Sequence, residues 1–237
     1  MAEAPVLDGG LSEPVPLAAQ LVARLLEFNQ WPSRMLHPAR AQAVWTEQEL
    51  AQQGRSASLD RVLHLRASRR LLAQLGSDAM PVTQLNAPAL PLALIASDLQ
   101  LLLVRRVGLM ALGKLLSSLI ARAQVVQARE DLGRESMDWA IAHALQWPES
   151  GWLHPVLQLQ QGWTAKADLL GSAVLARSWQ QAPAPLRRRA DWSLAPQACE
   201  LVLPETITEV QARTLCLSQL AEMEPAWLLL FPPQSTH

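Results

Sequence analysis

Residues 97–127, SDLQLLLVRRVGLMALGKLLSSLIARAQVVQ, carry apolar side chains at Leu99, Leu103, Met110, Leu116 and Ile120, the recurrence expected of one face of a long α-helix. Gly113, Ser117 and Ala121 follow one another at i, i+4 spacing, a row of small residues along which a second helix can approach closely. Gly108 and Gly113 each cost a helix interior about 1 kcal/mol relative to Ala, so close packing is expected to compensate. Asp98, Arg105, Arg106 and Lys114 interrupt the apolar run. No uncharged stretch here approaches the 18 or so residues of a membrane span, so no direct membrane insertion is expected.

Reading outward towards the N-terminus, Gly76, Pro81, Pro88 and Pro91 mark residues 76–91 as a loop or sub-boundary. Before it, Ser58 opens a helix that Gly76 closes, with Arg66, Arg69 and Arg70 on a basic face opposite Leu63, Leu71 and Leu75. Thr46 and Glu49 have the spacing of a capping box for a short helix ended by Gly54. Leu17, Leu21, Val22, Leu25, Leu26 and Phe28 form an amphipathic helix that stops before Trp31-Pro32. Residues 1–15 read as a flexible leader, without the basic and apolar regions of a secretory signal.

Towards the C-terminus, Gly133 interrupts the chain and a helix from about Arg134 to Gln146 is stopped by Trp147-Pro148. Pro155 suits a first helical position, and Thr164 opens a helix through Leu170 and Val174 to Trp179. Residues 182–204 are proline-rich, with segments 186–194 and 199–203 able to pair as one small β-hairpin near 186–203. Thr206 and Glu209 make a second capping box for a last helix, followed by an apolar tail from Trp227 to Phe231 and a short tail at 232–237. The expected fold is therefore mostly α, a single globular multi-helix domain over residues 16–231.

Composition fits that class. The 237 residues are 50% apolar with a net charge of −1, and Leu and Ala make up about a third of them, so helix formers dominate a chain long enough to bury a core. The near-neutral balance argues against nucleic acid, which requires a basic surface to drive counterion release. Cys199 and Cys216 are too far apart for a CxxC motif and read as buried, reduced thiols in a cytoplasmic protein.

Phosphate-binding loops, dinucleotide fingerprints, zinc-protease motifs and nucleophile elbows are all missing, so neither cofactor nor metal is expected. His37, His64, His143 and His154 lie in different elements. An enzymatic alternative would gather His143, Glu149 and His154 around the Trp-rich turn 147–154. Arg187, Arg188 and Arg189 beside Trp192 form the densest basic run and, with Arg66, Arg69 and Arg70, are candidate contacts for an acidic protein surface. Nine Trp stand against two Phe and no Tyr, with Trp31, Trp147, Trp152 and Trp192 in turns, where an exposed indole would mark a partner site.

Four landmarks follow one another along the chain: Phe28-Asn29-Gln30-Trp31-Pro32 with Met35-Leu36-His37-Pro38; Leu101 to Leu109, including Arg106 and Gly108, with Gly113 a turn later; Trp147-Pro148 with Trp152; and Ala212 to Cys216 with Pro225 and Leu229 to Phe231. In this order they resemble the SctK/YscK-type accessory proteins of the type III secretion sorting platform. Together they span residues 28–231, whereas the leader and the Arg-rich stretch 183–192 depart from the pattern. The resemblance implies a non-enzymatic, helical cytoplasmic adaptor docked peripherally at the base of the injectisome. There it would bridge the inner-membrane ring's cytosolic forkhead-associated domain (SctD-like) to the pod protein (SctQ-like), in support of ATPase assembly and secretion.

Overall fold

The structure, a computed structural model, describes residues 16–147, 156 and 158–232. Among them are thirteen α-helices and no strand, in one compact helical domain. In chain order they are α1 (Leu17–Gln30), α2 (Pro38–Val44), α3 (Glu47–Leu50), α4 (Ala57–Leu75), α5 (Leu90–Ala93), α6 (Ser97–Ser117), α7 (Arg122–Leu132), α8 (Arg134–Ala142), α9 (Trp163–Arg177), α10 (Ala184–Trp192), α11 (Pro196–Glu200), α12 (Glu209–Met223) and α13 (Pro225–Leu228). Short 3-10 turns occupy Pro32–Arg34, Gly76–Ala79 and Ala144–Gln146. No helix among the described residues is long and apolar enough to cross a membrane.

Helix α6 is the axis of the fold. Val107 to Gly113 are buried without a break, so this part of the helix is enclosed on all sides, by α9, α8, the Ala144–Gln146 turn and α12. The crossing with α9 is reciprocal. A Cβ on Gly108 would overlap the Ala167 carbonyl, and a Cβ on Gly171 would overlap the Val104 carbonyl. Bare Cα atoms thus let the two backbones touch, which repays the propensity cost of glycine with close packing. Beside the crossing, Arg105 grips Asp168 with a forked pair, Nη2 to Oδ2 at 2.7 Å and Nε to Oδ1, fixing the rotation of one helix on the other.

The small-residue row behaves otherwise than expected beyond its first member. Gly113 admits the Ala140 carbonyl of α8, but Ser117 is exposed and Ala121 lies outside the helix. The expected helix over 97–127 divides at 118–121 because the Ser117 and Ser118 hydroxyls donate to the Lys114 and Leu115 carbonyls, competing with the backbone at the helix end. Gly133, at φ +80°, then turns the chain between α7 and α8.

The β-hairpin near 186–203 is absent. Pro185 and Pro196 lie in the first turns of α10 and α11, where a missing N–H costs nothing, and Leu186 and Ala190 recur at the helical i, i+4 interval on a buried face. A second correction concerns α12, whose capping box is Thr208 with Gln211, not Thr206 with Glu209. Burial of Ile207 sets the register, and Glu209 is freed to bind Arg213 at 2.7 Å and to accept the Gln181 N–H at 2.6 Å. The Thr46–Glu49 box forms as expected, and Gly76, at φ +56°, ends α4. Helix α9 begins at Trp163, where the Asp131 carboxylate accepts the Trp163 N–H at 2.9 Å and caps the helix from outside.

One main cluster runs from Leu21 to Phe231, and Val82, Ala89 and Leu90 join it from the otherwise largely exposed stretch 76–91. A satellite cluster of Trp45, Leu63 and Ala67 lies under α2 to α4. His64 borders it, edge-on to Trp45 with centroids 5.1 Å apart, and its Nδ1 lies 2.9 Å from the Ser33 hydroxyl. Burial, then the charge of Arg34, hold His64 below its ordinary value of 6.5 against the opposing pull of Asp60. His37 is likewise lowered, by burial and then Arg40. Both rings bind fewer protons in the native than in the unfolded state. Their contribution is therefore complete above pH 6.5 and is lost as pH falls through the depressed values. Urea midpoints are expected to fall between about pH 7 and about pH 5.5, with a shallower fall in a His37→Gln/His64→Gln variant; equal slopes would refute this assignment.

Candidate partner-binding surface

The N-terminal half of α6 differs from its enclosed C-terminal half. Leu101 and Leu102 are 57% and 60% exposed, although Leu103 and Val104 beside them are buried. Leu102 joins Leu99, Leu109, Trp139 and Met223 around a groove of about 560 Å³ between α6, α8 and the end of α12. Arg106 forms part of its wall. Its guanidinium lies 4.8 Å from the centre of the Trp139 ring and its Nη2 donates to Glu222 at 2.5 Å. Asp168 and Glu222 pair with Arg105 and Arg106, so the floor of the groove is mainly apolar, with Glu135 and Ser136 on its rim.

The other expected contact residues are dispersed. Arg66 and Arg69 are exposed on α4, but Arg70 is turned to Glu49 at 2.7 Å and ties α3 to α4. The Arg187–Arg189 run is helical and its members point three ways. Arg187 faces a cavity, Arg188 pairs with Asp78 at 3.2 Å, and Arg189 is 2% exposed. Arg189 donates to the carbonyls of Asp78, Ala79 and Pro185, so it is a structural pin, and reversing all three charges would not leave the fold intact. Trp192 is half-buried and its carbonyl accepts the His37 N–H at 2.9 Å. Every described Trp is buried or half-buried, so no fully exposed indole marks a surface there.

The landmark residues have local structural reasons. Phe28, Pro32 and Trp147 are buried; His37 Nδ1 caps α2 by accepting the Ala39 N–H at 3.1 Å, and Pro38 is the first residue of that helix. Gly108 and Gly113 are the close-approach sites already described. Pro148, Glu149, Trp152, His154 and Pro155 lie outside the described residues. His143 stacks on Trp139 with centroids 4.2 Å apart and places Nδ1 2.8 Å from the Trp139 carbonyl. Among the described residues, no group of His, Cys, Asp or Glu is arranged to hold a metal ion. Cys216 is buried, which pushes its thiol up to about 12, whereas Cys199 lies at the surface, contrary to expectation.

Sequence reading missed Gly171 and Asp168, and it read Glu130-Asp131 as helix-end carboxylates without finding the helix that Asp131 caps. Ala167 and Gly171, four residues apart within an apolar helical stretch, repeat the spacing that drew attention to Gly113 and were a usable signal. No comparable signal exists for Asp131, which caps a helix that begins far along the chain.

The features on hand define a class: an all-α single-domain protein whose long central helix also carries an exposed apolar surface. Comparison of the chain with family models, with curated proteins and with solved structures finds no match.

Proposed function

We propose that this chain is a protein–protein adaptor of a type III secretion sorting platform, one that bridges the inner-membrane ring's cytosolic domain to the pod protein and acts without catalysis. The carrying observation is the exposure of Leu101 and Leu102 on α6, the helix whose Leu101–Leu109 segment most closely resembles the SctK/YscK family. Fully burying a leucine is worth about 1.5–3 kcal/mol, so such a pair is costly on a surface that meets only water. A rigid helix, held from behind by Gly108 and Gly171, presents these side chains without a further backbone ordering cost on binding. The groove would receive an apolar segment of one of the two platform partners.

The test is calorimetric titration of the purified chain with the forkhead-associated domain and with the pod protein separately. At least one is expected to bind, and Leu101→Arg/Leu102→Arg should weaken that binding by about 2 kcal/mol or more with an unchanged circular dichroism spectrum. Binding of neither would overturn the platform reading. Undiminished binding by the variant would remove this groove from it.

A further inference from the structure

Several partly buried arginines meet an acid: Arg70 with Glu49, Arg105 with Asp168 and Arg106 with Glu222 between helices, and Arg213 with Glu209 within α12. Arg40, Arg177 and Arg187 are half-buried too, yet among the described residues none has a carboxylate within 4.0 Å. All three lie around one place. Arg177 and Arg187 line a cavity of about 370 Å³ between α9, α10 and the segment 198–203, and Arg40 reaches its wall through Cys199, with Nη2 3.5 Å from Sγ.

Each guanidinium is held by neutral acceptors. Arg177 Nε donates to the Ile207 carbonyl at 3.1 Å and its Nη1 to Gln180 Oε1; Arg187 Nη1 donates to the Gln180 carbonyl at 2.9 Å; Arg40 Nε donates to the Leu194 carbonyl at 2.7 Å. These bonds fix the forks without a direct ion pair, and they leave Nη2 of Arg177 and of Arg187 free to donate. The acids of the wall are Asp191 and Glu200. Asp191 is occupied in part by Trp179, whose indole N–H donates to Oδ1 at 2.9 Å. Burial pushes the Asp191 carboxyl up, against that hydrogen bond and the charges of Arg187 and Arg40.

We infer that this cavity is a receptor for a carboxylate, the side chain of an Asp or Glu within an acidic segment of a partner protein, held between Arg177 and Arg187. A monoanionic carboxylate suits the donor geometry, because a planar fork matches its two oxygens. Asp191 and Glu200 in the wall disfavour the second charge of a phosphate dianion. The rim favours a polypeptide: Val202, 81% exposed, lines the cavity and supplies apolar contact for the residues flanking the acid. This site lies apart from the α6 groove, and the inference stands or falls independently of the platform reading.

The natural reporter is the Trp179 indole N–H, one bond from the Asp191 wall. In a two-dimensional nitrogen–proton NMR titration, a blocked hexa-glutamate peptide is expected to shift that resonance saturably. The matched hexa-glutamine peptide should not shift it. Arg177→Gln and Arg187→Gln, tested singly, are each expected to weaken hexa-glutamate about tenfold, whereas Arg66→Gln/Arg69→Gln on the exposed face of α4 should leave its affinity unchanged. No saturable shift in the unmodified protein would overturn the inference without recourse to any variant. So would equal weakening by the α4 variant, which would mean non-specific charge attraction. Inorganic phosphate binding as tightly as the peptide would replace the carboxylate with a phosphate and overturn the assignment.

Discussion

Gly171→Leu and Gly108→Leu are each expected to yield no stably folded protein. A side chain at either position would occupy the space of a backbone carbonyl, Val104 for Gly171 and Ala167 for Gly108, and a carbonyl in an intact helix cannot rotate away. The helices would have to separate along the crossing that holds the core, and Arg105 would lose its grip on Asp168. The expected loss exceeds about 4 kcal/mol, a large share of the 5–15 kcal/mol that stabilises a typical domain. Gly108→Ala separates the explanations. Helix propensity favours Ala by about 1 kcal/mol, so a more stable variant would refute the close-packing account, and a less stable one supports it. Ser117→Ala, on the exposed end of the same helix, should be nearly neutral. Urea unfolding followed by circular dichroism reads all of these.

Arg189→Met is expected to cost about 3 kcal/mol or more, while Arg188→Ala, one residue earlier, should cost less than about 1 kcal/mol. Arg189 crosses from α10 to the Gly76–Ala79 turn and supplies the N–H donors for the carbonyls of Asp78 and Ala79 at 3.2 and 2.8 Å. Methionine keeps much of the buried volume but leaves those acceptors without these donors, with each lost bond exposing a desolvation penalty of about 1–3 kcal/mol. Burial holds the Arg189 guanidinium below its ordinary value, consistent with a cation neutralised by no acid. Arg188 makes only an exposed pair with Asp78. Comparable losses at the two positions would show that α10 is stabilised by its total charge and not by the pin.

Much of the helical map was legible because its signals are local. The Thr46–Glu49 box, Gly76 after Leu75 and the Trp31-Pro32 stop each act within one turn, where the chain's own covalent geometry brings the partners together. The errors fall where two local readings compete. Thr206-x-x-Glu209 and Thr208-x-x-Gln211 are equally good boxes, and burial of Ile207 selects the second. Residues 186–203 contain enough proline to break either a helix or a strand, and only docking of Leu186 and Ala190 onto the core makes the first turns the natural place for Pro185 and Pro196.

The surfaces were less legible than the elements. A run of three arginines looks uniform, but helical rotation sends Arg187 to a cavity, Arg188 to solvent and Arg189 inward, and which direction is inward depends on where α10 lies against the Gly76–Ala79 turn. Apolar periodicity by itself determined that this chain is helical and that a long helix opens at Ser97, though not that it breaks at 118–121, because helix formation follows from contacts within a few residues of each other. The tertiary structure alone decided that Gly171 meets the Val104 carbonyl, that Leu101 and Leu102 remain uncovered, and that Arg40, Arg177 and Arg187 gather at one cavity with no carboxylate paired directly to any of them. Those outcomes depend on the relative placement of helices distant in the chain, which is set by the packing of the whole core and is encoded in no single stretch of it.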